Sequence, residues 1–79
     1  MTYQELKTLT EGKDFPICGK NEDGENVIIR HRTDIIRYRD EEWDRNYFHL
    51  MTAQDNGWMR HNIIHENGST EEFYERSNK

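Results

Sequence analysis

The chain has 79 residues, with 11 Lys and Arg against 16 Asp and Glu and a formal net charge of −5, so one domain over residues 1–79 is expected and a large catalytic domain is excluded. Leu, Ile, Val and Phe make up 14 of the 79 residues, close to the level at which a charged chain stays unfolded, and the longest apolar run, Val27-Ile28-Ile29, is far short of the ~20 residues of a membrane-spanning helix. The acidic balance repels phosphate on average, so nucleic acid or an anionic membrane would have to meet a local basic patch.

In chain order, Thr2 followed by Glu5 suits a capping box, and Tyr3, Leu6 and Leu9 fall on one helical face. A helix of about ten residues is expected there, with Gly12 able to stop it, and it must lie on an apolar surface to persist. No amino-terminal secretory, transit or lipidation pattern is visible, and Cys18 is the only cysteine. A reduced, cytoplasmic setting without disulfides is the expectation.

Beyond Phe15 the punctuation is that of antiparallel strands. Turn formers at Asn21-Glu22-Asp23-Gly24, Asp55-Asn56-Gly57 and Glu66-Asn67-Gly68-Ser69 separate apolar runs. Strands are predicted over 15–20, 25–32, 47–54, 58–65 and 70–76, joined as a meander, with Pro16 at the start of an edge strand. Residues 33–46 admit a helix carrying Ile35, Ile36, Arg39 and Trp43, or an extension of the preceding strand over 35–40 followed by an acidic loop over 41–46. The β-branched pair Ile35-Ile36 favours the extended form. The loop around Asn67-Gly68 leaves open whether Phe73 or Tyr74 joins the face of Trp58. Residues 77–79 are expected to be a disordered tail.

The fold expected is therefore α+β, a short amino-terminal helix on an antiparallel meander sheet of four or five strands, with a small all-β barrel as the alternative. Its predicted core is Leu6, Leu9, Ile17, Val27, Ile29, Phe48, Leu50, Trp58, Ile64 and either Phe73 or Tyr74.

Four histidines invite a metal reading, above all His61 and His65. On a strand, however, residues four apart are about 13 Å apart, too far to share one ion, and no metal or other cofactor is expected. Carboxylate and histidine pairs are unavoidable in this composition, no nucleophile or phosphate-binding motif is present, and Cys18 has no neighbour that requires a reactive thiolate. No catalytic residue is assigned, and an enzyme is the minority reading.

The strongest local anomaly is electrostatic, because Arg30, Arg32, Arg37 and Arg39 stand close together with only Asp34 among them. As an extended segment, Arg37 and Arg39 would project together, while Arg30 and Arg32 share a face with Ile28. With Tyr38 and Trp43 they form the candidate contact set for a protein partner, since Arg, Tyr and Trp anchor interfaces. The plainer reading is that they pair with the chain's own carboxylates. The same stripe could grip phosphates, which makes a nucleic-acid-binding module the alternative, though net charge disfavours it. The acidic clusters around Glu22, Glu41 and Glu71 would suit a nucleic-acid mimic. Two copies could also pair along the unprotected edge of the 15–20 strand, with Pro16 working against it.

The run from Thr52 through Asn62, followed by Glu66 through Glu75, resembles small uncharacterised proteins of Gram-positive bacteria and their phages. The resemblance covers roughly the last thirty residues and implies an accessory protein, with no catalytic residues carried across. The functional expectation is a small intracellular accessory or inhibitor protein that docks a protein partner and performs no chemistry.

Overall fold

The computed structural model describes residues 2–76, and the expected tail at residues 77–79 lies outside the described residues. Helix α1 spans Tyr3–Leu9. Its start is a complete capping box, in which the Glu5 amide donates to Thr2 Oγ1 at 3.1 Å and the Thr2 amide donates to Glu5 Oε1 at 3.0 Å. Those bonds favour the ionised Glu5 and hold its pKa below the usual carboxylate value. The helix ends at Thr10, two residues before Gly12, where the Thr10 amide and hydroxyl both donate to the Leu6 carbonyl.

Five strands follow, β1 (Ile17–Lys20), β2 (Asn26–Tyr38), β3 (Glu41–Ala53), β4 (Trp58–His65) and β5 (Thr70–Arg76). They form one open antiparallel sheet in the order β1-β2-β3-β4-β5, so the fold is the α+β meander and not the closed barrel. Gly24, Gly57 and Gly68, one in each expected turn, have φ of 79°, 84° and 95°, a region in which an L side chain is strained. β1 starts at Ile17, two residues later than expected, directly after Pro16. The 33–46 segment is neither helix nor acidic loop, because β2 and β3 continue through it as a regular ladder from Thr33↔Asn46 to Tyr38↔Glu41.

The registers Leu50↔Ile29 and Phe48↔Ile64 place Ile29, Phe48, Leu50 and Ile64 on one face of the sheet, where α1 lies. Tyr3 and Leu6 complete this core, with Leu6 and Phe48 essentially fully buried. Burial pushes the Tyr3 phenol up, with Glu66 adding to the effect.

Val27 is buried, and Ile17, Ile29 and Leu50 are half-buried. Leu9 and Trp58 are exposed, against the expectation that they join the core, and so are both Phe73 and Tyr74, one of which was expected there. A seven-residue helix is only about 10 Å long and covers roughly two strand spacings, so the sheet outruns its cover. The pairing Ile64↔Thr70 also settles the carboxy-terminal register, with Tyr74 on the face of Trp58 and Phe73 on the opposite face against His61.

Candidate functional site

Two surfaces are left over by this fold. The first is an arm. β4 pairs with β3 only from Tyr47 onward, and β1 pairs with β2 only up to Ile29. Residues 33–46 therefore project as a two-stranded ribbon of six cross-strand pairs, about 20 Å long, and account for much of the 46 Å long axis. Ile35 is 60% exposed and Tyr38 61%, with Trp43 at 47%.

The six expected contact residues lie close in sequence but do not form one stripe. Arg30, Arg32 and Tyr38 alternate onto the face opposite the helix, together with Trp43, which pairs with Ile36. Arg37 is on the helix side, where its Nε meets Glu42 Oε2 at 2.8 Å in an exposed pair of small energetic weight. Arg39 occupies the turn, with its guanidinium carbon 5.4 Å from the Tyr38 ring centroid, so it does not project alongside Arg37 as expected. Arg45 was absent from the set, yet it stands opposite Asp34 on the same face as Arg30 and Arg32.

Arg39 has φ of 58°, a conformation that disfavours a side chain by about 1–2 kcal/mol. Its exposed contact with Tyr38 returns less than that, about 0.5 kcal/mol. Arg39→Gly is expected to tighten the arm, raising exchange protection of the Ile36 and Trp43 amides by roughly fivefold. Unchanged or lower protection by hydrogen exchange would show that the turn is not strained by its side chain.

The second surface is the sheet face away from α1, which no element covers among the described residues. At its centre His49 Nε2 and His61 Nδ1 lie 2.8 Å apart and share one hydrogen bond. The Phe73 ring stacks on His61 at 4.6 Å and 4°, and Glu75 Oε2 is 3.9 Å from His61 Nε2. His65, buried beside Tyr47, bonds Glu71 Oε2 at 2.7 Å through Nε2. His61 and His65 thus turn to different partners, as a strand spacing of four requires. No group of three or more His, Cys, Asp or Glu side chains is arranged to hold a metal ion among the described residues. The His49 imidazole is held below its ordinary pKa, first by burial and then by His61, Arg32 and Arg30. The histidine pairing escaped the sequence reading because it depends on the β3–β4 register, which no motif announces.

Beside the helix, Tyr3, Phe15, His31, Phe48 and Glu66 line a shallow hollow. It brings a histidine and a carboxylate to one concavity, but His31 Nε2 is engaged with the Tyr3 hydroxyl at 2.9 Å. Comparison with known proteins adds no relative, since no family model, curated protein or solved structure matches the chain.

Proposed function

We propose that the chain is a small accessory or inhibitor protein that docks a protein partner through the projecting arm and performs no chemistry of its own. The observation that carries this reading is the exposure of Ile35, Tyr38 and Trp43 on a ribbon that adds nothing to the core. A bare two-stranded ribbon is marginal in water, and a partner that clamps it repays the cost of ordering it. Residues 33–46 hold three arginines and five carboxylates, a mixed charge that suits a protein surface better than a phosphate backbone. Tyr38, Trp43 and Arg39 are the anchors of this contact, flanked by Arg37. Arg30 and Arg32 lie at the root of the arm.

The test is a photo-crosslinker at position 43 to capture the partner, followed by calorimetry with both purified proteins. Tyr38→Ala/Trp43→Ala and a variant with residues 34–45 replaced by a two-residue turn are expected to weaken binding tenfold or more. Full affinity of the shortened variant would overturn the reading. Binding instead to DNA or RNA, weakening steeply with salt, would favour the nucleic-acid alternative.

A further inference from the structure

The face away from α1 has a pattern of its own, independent of what the arm binds. Reading straight across the sheet, the registers align Arg30, His49, Ile63 and Glu71 in one row, and Ile28, Met51, His61 and Phe73 in the next. The first row begins with a cation on β2 and ends with an anion on β5, with a half-buried apolar and imidazole centre between them. Turned over about an axis parallel to the strands, such a row is complementary to itself.

We infer that a second copy of this chain covers this face, the two sheets stacking about a two-fold axis that runs parallel to the strands between β3 and β4. That axis lays β2 over the other copy's β5 and β3 over its β4. Arg30 then meets Glu71, His49 meets Ile63, Ile28 meets Phe73, and each contact occurs twice, as an isologous interface demands. Glu71 keeps its bond to its own His65 and, at 61% side-chain exposure, remains open to a guanidinium. An axis across the strands would instead set Arg30 against Arg30 and Glu71 against Glu71.

Size and stability point the same way. Four strands at ~4.8 Å and about seven residues at ~3.3 Å give roughly 450 Å² of flat projection per copy, hence roughly 1,000 Å² buried in total once side-chain relief is included, the lower end for a specific interface. The chain has no disulfide framework, and its core is small. Its radius of gyration is 14.2 Å, against the about 12 Å of a compact chain this long. Association with a like chain is one of the few ways such a scaffold gains buried area. Sheets stacked in this way run nearly aligned, and because the axis preserves strand direction both arms leave the dimer at the same end.

Sedimentation equilibrium of the full chain at neutral pH, across a micromolar concentration series, tests this. A monomer–dimer equilibrium is expected. Arg30→Glu and Glu71→Arg should each weaken it tenfold or more, and their equimolar mixture, or both changes in one chain, should restore it. Ile63→Asp should give a monomer, with far-UV circular dichroism reporting whether the sheet persists. The charge exchange, at half-buried Arg30 and exposed Glu71, keeps the test decisive if that variant unfolds, because only a direct contact gives mutual rescue. A chain that stays monomeric, a dimer that survives Ile63→Asp, or charge reversals without mutual rescue would overturn the inference.

Discussion

Phe48→Ala is expected to destabilise the protein by about 3–5 kcal/mol, which for so small a domain leaves much of the chain unfolded at room temperature. Phe48 is 1% exposed and sits where the helix, β2 and β4 converge. Its ring centroid lies 4.9 Å from that of Tyr3 and 4.8 Å from that of His31. Removing it opens a cavity and strips Tyr3 of the surface that fixes α1, and a helix of seven residues has no independent stability to fall back on. The truncation therefore undocks the helix as well as hollowing the sheet. Urea unfolding followed by circular dichroism should show the midpoint falling by more than half. A loss under about 1 kcal/mol would show that the helix is held by something other than this contact.

Acidification is the second large lever, and it acts on the opposite face. The His49 ring is half-buried, 2.8 Å from the His61 ring, so a proton added to His49 places a cation where burial disfavours it. His61, Arg32 and Arg30 add to that cost. The His49 pKa is lower in the folded chain than the ordinary value of about 6.5, so the unfolded chain binds the proton more readily. Its contribution to stability is therefore complete above about pH 6.5 and is lost as pH falls through the lower folded value. The urea midpoint should drop between neutral and mildly acid pH, and His49→Gln should flatten that drop while costing some stability at neutral pH. Parallel pH profiles for the two proteins would exclude His49 as the source.

How much of this was legible in the sequence follows from the range of the interactions involved. The capping box of Thr2 and Glu5 is local chemistry and needs no tertiary context. The turns at Gly24, Gly57 and Gly68 are equally local, and with them comes the order of the meander. Leu6, Val27, Phe48 and Ile64 were readable as core because apolar residues are scarce here and each lies in a strand or helix that local signals define. Trp58 was misplaced, and Tyr74 on the same face is exposed with it, because hydrophobicity does not reveal how far a seven-residue helix extends over five strands, whereas Phe73 lies on the face away from the helix. The arm was ambiguous for a physical reason: Ile36 and Trp43 are seven apart, which suits two turns of a helix as well as a cross-strand pair about a two-residue turn. The arginine cluster looked continuous in sequence, but alternation along β2 sends Arg30 and Arg32 to one face and Arg37 to the other, and Arg39 falls in the turn.

The short β1 has a further consequence for solubility. From Arg30 to Tyr38 the outer side of β2 has no neighbouring strand among the described residues, which leaves a row of backbone donors and acceptors free to template another chain. Ile35, Ile36 and Tyr38 would make that row an aggregation-prone segment, and Arg32, Asp34 and Arg37 interrupt it with charges that oppose stacking of like strands. The arginines of this segment thus act as gatekeepers against fibril growth whatever else they contact. Neutralising Arg32 and Arg37 together would put the chain's colloidal stability at risk before it tested anything about recognition.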